Sequence, residues 1–211
     1  MTLIATDINL EVENTVGTAT AITAITQDNP GEVTSAAHGL ANGAWVKILT
    51  SDGMTGLNEQ LVRVSNVTTD TFDLEGINTT NMSAFSTGTF QEVTAWYTLC
   101  QATNIDIGNA APSELDGTTL CSSKSITLYG LPGSISGTID IQHDPSAAAV
   151  AKLKAASVSD LLAFRATWNT GAISAFAAKS AYSGGFSAAL NSIVTGSVPV
   201  TVPAEIVEYA S

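Results

Sequence analysis

Any chemistry in this chain would have to come from few groups. Its two imidazoles are His38, in the turn-like stretch AAHGLANG, and His143, just ahead of an expected helix start. Hydrolysis by a nucleophilic serine needs a Ser on a tight turn with a His and an acid in reach. No GxSxG arrangement is present, and the serines of GSISG at 133–137 are misplaced for one. Neither His has a Cys or second His at metal-ligand spacing, so no metal site is expected and both imidazoles read as surface or capping residues. Cys100 and Cys121 are too few for a disulfide framework and too far apart for a zinc or redox motif; they read as buried small hydrophobes. Asp70, Asp73 and Glu75 cluster in TTDTFDLEG, and Glu205 and Glu208 lie near the end of the chain. A glycosidase needs only two opposed carboxylates, but spacing alone sets none across a cleft, and a solvated face is the simpler reading. The oxygens of DTFDLE lack the glycine-centred loop of an EF-hand. The expectation is no catalytic residue, no metal and no cofactor.

The chain that must position these groups has 211 residues, 45 % of them hydrophobic, enough for one generous domain or two small ones. Only 12 % are charged, about half the usual quarter. With 19 acids against 7 bases the formal charge is −12, which argues against gripping nucleic acid or an anionic membrane, since both rest on Lys and Arg. The start, MTLIATDINLEVEN, lacks the basic stretch, apolar run and small-residue site of a signal peptide. No apolar run approaches the ~20 residues that cross a bilayer. A soluble protein made in the cytoplasm of its host cell, with no membrane partner, is expected. Aromatic residues sit at core parity instead of forming an exposed row, which counts against a stacking platform for sugars or single strands. Trp45, Trp96 and Trp168 each fall inside an expected strand, where burial is their default role.

Composition shifts near residue 20 and again near 91. Between them, short β-rich runs (AWVKILTS, QLVRVSNV, FDLEG) alternate with Gly, Asn and Asp turns, the pattern of a small barrel or sandwich. Ahead of this segment, Ile4, Ile8, Leu10 and Val12 suit a half-exposed strand. After it come a strand pair in FQEVTAWYTLCQATNIDIG and a loop from Asn109 to Ser123, of a length that usually serves a contact or is mobile. From Lys124 on, strands are expected, with Ile135, Ile139 and Ile141 on one face and Ser134, Ser136, Thr138, Asp140 and Gln142 on the other. A helix is expected over about 145–156, with Asp144 as N-cap and Pro145 at its first position. Alternating runs follow: Leu162 to Trp168, Phe176 to Tyr182, Phe186 to Leu190, and Val198 to Ile206. Pro199 and Pro203 restrict the last to an edge or to one-sided pairing. The fold class is mainly β, an antiparallel sandwich or barrel with one helix (1–20 and 92–211), interrupted by an inserted small all-β domain (21–91).

At this point the residues resemble known families. The stretch from AITAITQDNPGEV to TDTFDL, with its AAHGL and MTGLNE turns, looks like a small β-barrel module found in phage virion proteins, sometimes labelled after the catalytic-half domain of ubiquitin-activating enzymes. It contains no cysteine, so no ubiquitin chemistry follows. The rest is similar in order and spacing to the tail tube proteins of long-tailed, siphovirus-like bacteriophages. The carriers are a first strand, a long loop with ELDGTTL, the Lys124 to Gln142 strands, the HDPSAAAVAKL helix and the ending VPVTVPAEIVEY.

That resemblance implies a subunit closing into hexameric rings that stack into a hollow tube. Strands of neighbouring subunits would complete an inner barrel, with the helix outside it and 21–91 as an outward decoration domain. It further implies a tape-measure protein and tail-tip and terminator proteins as partners, and DNA that transits without specific binding. The lumen-facing candidates are Ser134, Ser136, Thr138, Asp140 and Gln142, and the ring-contact candidates are Glu114, Leu115, Asp116, Thr118 and Thr119. Uncharged amphipathic strands and an acidic balance suit such a conduit independently. Two other classes stay in view: a carbohydrate-binding or adhesion module of a phage or bacterial surface structure, and an enzyme acting on cell-wall glycan through Asp70, Asp73 and Glu75.

Overall fold

In the computed structural model, which describes residues 8–109, 112–121, 123–130 and 134–210, the alternating runs join one fourteen-stranded sheet. Its C-terminal part runs β8 (Thr87–Thr98), β1 (Asn9–Val16), β13 (Leu161–Thr167), β14 (Ile173–Ser180), β15 (Thr195–Val202), β12 (Ile135–Gln142) and β9 (Ala102–Asn109), all antiparallel. Period-two alternation sends Leu10, Val12, Leu162, Phe164, Phe176, Val198, Val200, Ile139 and Ile141 to one face, where they form a single buried cluster. The helix α1 (Ala148–Ala155) closes that cluster with Ala149, Val150 and Leu153. Among the described residues the fold is therefore mainly β, a large curled antiparallel sheet with one α-helix. Of the expected first-strand residues, Ile4 lies outside the described residues.

The expected edge position or one-sided pairing of the Pro199 strand is corrected: β15 lies inside the sheet between β14 and β12. β15 pairs with β12 along eight residues but with β14 at only two, Lys179↔Thr201 and Ser180↔Val200. The Pro199 carbonyl accepts from Ala181 N on the β14 side, where its own nitrogen also points and no ladder donor is needed. Gly137 is required by close approach: a Cβ there would overlap the Asp106 carbonyl oxygen and lie 2.7 Å from Ile107 Cα on β9.

Segment 21–91 contributes the other end of the sheet: β4 (Glu32–Thr34), β7 (Thr71–Leu74), β6 (Leu61–Ser65) and β5 (Trp45–Asp52), which pairs β8. β2 (Thr20–Ile22) pairs β8, and β3 (Ala24–Ile25) pairs β4. β2 and β3 are separated only by Thr23, so the strands close around a second buried cluster that includes Val33, Ile48, Val64, Phe72 and Phe90. β8 serves both clusters, its first half in the segment and its second beside β1.

A third cluster joins the two. Trp45 and Leu61 of the segment pack with Ala163 of β13, Ala175 and Ala177 of β14, and Val207 and Tyr209 of β16 (Val207–Tyr209). Small alanines let the backbones approach where larger side chains would hold them apart. Polar links reinforce the joint. Lys47 Nζ lies 2.6 Å from Glu13 Oε2 and donates to the Leu161 carbonyl at 2.8 Å, while Ala163 N donates to the same Glu13 oxygen at 2.9 Å. Gln60 exchanges two hydrogen bonds with the backbone of Glu205. Lys179 pairs with Glu59 at 2.6 Å, and Arg63 N donates to the Tyr209 hydroxyl at 2.9 Å.

Burial pushes the Tyr209 phenol up to about 12, against about 10 for an unfolded tyrosine. The folded chain therefore holds a proton that the unfolded chain has released between those values, so this contribution is intact below pH ~10 and is lost as pH rises toward ~12. Denaturant titrations across pH 9–12 are expected to show a steep alkaline loss of stability that Tyr209→Phe flattens. Equal pH slopes in the two proteins would contradict this.

Several expectations are corrected. Asp144 does not cap the helix: α1 begins at Ala148 behind an extended Ala147. The Asp144 carboxylate instead accepts from the Ser146 hydroxyl and N–H, bonds that hold it below the usual carboxylate range; this turn uses up the capping oxygen before the helix starts. Cys100 and Cys121 are free and exposed, not buried, because each falls in a turn between strands. Phe186 to Leu190 is not a strand. It makes only the bridge Ser187↔Thr195, following the Gly184-Gly185 pair with Gly184 at φ +82°, and Phe186 and Leu190 point outward. Residues 109–123 are not all loop: β10 (Glu114–Asp116) pairs β11 (Thr127–Tyr129) in a separate two-stranded ribbon. Residues 110, 111 and 122 of that expected loop lie outside the described residues. Of the tryptophans, Trp45 is buried, while Trp96 and Trp168 are half-buried; Arg165 covers the Trp96 ring at 4.4 Å and Trp168 Nε1 donates to Ser174 Oγ.

Candidate functional site

The face of β12 opposite the core presents Ser136, Thr138, Asp140 and Gln142, with Ser134 exposed just before the strand. Register brings polar neighbours beside them. Asn104 and Asp106 of β9 stand opposite Asp140 and Thr138, and Thr195, Ser197 and Thr201 of β15 stand opposite Gln142, Asp140 and Ser136. Asn104 Nδ2 reaches Asp140 Oδ2 at 3.4 Å, and Thr103 Oγ1 donates to the Asp140 carbonyl at 3.1 Å. β9, β12 and β15 contain no Lys, Arg or His; their charges are Asp106 and Asp140. The result is a broad polar surface that is weakly acidic and carries no cation of its own.

The β9 and β15 members of this face were missed in sequence. Their signal was the alternation in TNIDIGN and TGSVPVTV; of these, parity was read only in the second, and only for its valines. Among the described residues β9 also ends the sheet, and its outer row of N–H and C=O groups faces no other described strand. Between that edge and the start of β1 lies an apolar groove lined by Ile8, Leu10, Leu99, Ala102 and Ile105.

The five contact candidates sit on the ribbon. Glu114, Leu115 and Asp116 form β10. Thr118 and Thr119 follow in the exposed turn. Asp116 Oδ1 accepts from Thr118 N at 2.8 Å, and its bonds to Thr118 hold the carboxyl below the usual range. The Thr118 hydroxyl in turn accepts from Ile126 N.

The groups first singled out for chemistry are held by local structure. Asp70 accepts from Ala37 N, Asp73 from Asn66 Nδ2, and Glu75 from both Nε and Nη2 of Arg63. His38 Nδ1 accepts from Leu40 N and its ring meets Phe72 edge-on at 5.1 Å; His143 lies beside Phe186, centroids 5.1 Å apart. Among the described residues no three His, Cys, Asp or Glu gather as a metal site, and no helix is long and apolar enough to cross a membrane.

A curled antiparallel sheet with one helix and a cation-free polar face has the character of a β-rich structural subunit. The chain belongs to the phage tail tube protein family, whose sequence model matches residues 52–211. It is thus a structural component of the virion tail, of a kind that assembles with itself into a tube. The match starts at the last residue of β5, so it takes in β6 and β7 as well as everything from β8 on. No curated protein matches the chain.

Proposed function

We propose that six copies close into a ring and that rings stack into the hollow tail tube of a siphovirus-type phage, through which the genome passes into the host. Ser134, Ser136, Thr138, Asp140 and Gln142 face the lumen together with Asn104, Asp106, Ser197 and Thr201. The cation-free face carries this reading. DNA presents a dense row of phosphates, and a wall of hydroxyls, amides and carboxylates offers it no Lys or Arg to release its counterions; the acidic field keeps it moving. α1 lies on the other side of the sheet, as an outer element would. The open edge of β9, a liability in a lone subunit, becomes the seam where a neighbour's strand completes the barrel.

The tape-measure protein occupies the lumen during assembly in the host cytoplasm, and tail-tip and terminator proteins bound the tube. Segment 21–91 packs on Ala163, Ala175 and Ala177, on the face of β13 and β14 opposite α1; in this reading the curl of the sheet between β14 and β12 turns that face away from the lumen, and the segment is the outward part of the subunit. Electron microscopy of the purified chain over a concentration series, with and without a tail-tip initiator complex, is expected to show hollow tubes of one diameter. A chain that stays monomeric in both series would refute the reading.

A further inference from the structure

The β10–β11 ribbon is amphipathic. Leu115 pairs with Leu128 across the strands, and Ile126 lies beside them next to Gly117. These three are 55, 53 and 44 % exposed. The opposite face carries Glu114, Asp116 and Tyr129. A two-stranded ribbon with one apolar face is marginal in water unless that face is packed, and among the described residues this one pairs with no other strand.

A groove of matching character lies elsewhere on the subunit. It runs between α1 and the chain after β14, lined by Pro145, Val150, Ala151, Lys154, Tyr182 and Phe186, with the Phe186 ring 65 % exposed. Lys154 crosses it, its stem packed against Gly184. Among the described residues, five of the seven basic side chains are committed: Lys47, Arg63, Arg165 and Lys179 to carboxylates, and Lys152 to the Asn14 carbonyl. Lys154 has no such partner, in a chain with 19 acids. An apolar groove beside an unpaired cation is complementary to a ribbon with an apolar face and the free carboxylate of Glu114.

We propose that the β10–β11 ribbon of one subunit docks into the α1–Phe186 groove of a second copy, with Glu114 meeting Lys154. The two surfaces differ, so the contact is head-to-tail and propagates from copy to copy instead of closing a pair. The proposal rests on the tube reading and names the surfaces that bind one subunit to the next.

The test is charge exchange. Glu114→Lys and Lys154→Glu, each exposed and so leaving the fold intact, are each expected to raise the concentration needed for tubes about tenfold or more, from like charges brought together. Both changes in one chain restore it to within a few-fold of the wild type. Single variants that polymerise like the wild type, or a double variant no better than the singles, would overturn the docking while leaving the tube reading in place. Glu114→Cys with Lys154→Cys, in a chain with Cys100→Ser and Cys121→Ser, supplies a second readout. Oxidation is expected to yield a ladder of linked chains, in tubes and in concentrated unpolymerised protein alike. Linked chains support the docking even if no tubes form, and their absence from both samples overturns it.

Discussion

Lys47→Met is expected to destabilise the chain by about 3–5 kcal/mol, because it strands a buried carboxylate. Lys47 and Glu13 are each 4 % exposed and 2.6 Å apart. Removing the ammonium leaves Glu13 with only the Ala163 N–H and leaves the Leu161 carbonyl without its Lys47 donor. The pair spans three strands, β5, β1 and β13, so its loss weakens both halves of the molecule at once. For a chain of this size the melting temperature would fall by roughly 10 °C. Glu13→Leu combined with Lys47→Met is expected to cost less than the sum of the single changes, since neither charge is then left alone. Calorimetry of the three variants decides the point; a single-variant loss below about 1 kcal/mol would mean that the ion pair contributes little to the joint.

The second large effect concerns segment 21–91. Excising residues 24–86 is expected to abolish soluble, folded protein. Ala163, Ala175 and Ala177 are at most 1 % exposed because the segment covers them, and Tyr209 and Val207 pack into the same cluster. Without the segment, that apolar strip and the β8 edge that β5 now pairs would face water, which favours aggregation. The intact chain should therefore unfold in one cooperative transition. A milder variant makes the same point: Leu61→Ala is expected to cost about 2–5 kcal/mol and to lower that one transition, not a separate one. A truncated chain that remains monodisperse and folded, or two resolved transitions in the intact chain, would show the segment to be an independent attachment.

Much of the sheet was legible because its strands obey a period of two. The alternation of Leu162, Phe164 and Ala166, and of Val198, Val200 and Val202, predicted both the strands and their buried face. The polar parity from Ser136 to Gln142 pointed to a solvent-facing surface for the same reason. What stayed hidden depends on partners distant in sequence. No local pattern tells that Asn104 and Ser197 flank Asp140, because register is set by pairing across the sheet. Nor could spacing reveal that Lys47 reaches back to Glu13, or that Gln60 meets Glu205. The misread positions share a cause: Asp144 had a nearer competitor in Ser146, and Phe186 to Leu190 carries strand-like alternation that the Gly184-Gly185 break detaches from the sheet. The ribbon's strands, three residues each, were masked by the Gly-, Ser- and Thr-rich stretch between them, which reads as loop.

The most direct test of the conduit is a reconstruction of the assembled tube at side-chain resolution. Thr138, Asp140, Asn104 and Ser197 are expected to line the axis, with β9 paired to a neighbour's strand and segment 21–91 on the outside. A tube in which the β9–β12–β15 face is buried between subunits, or turned to the exterior, would contradict the account.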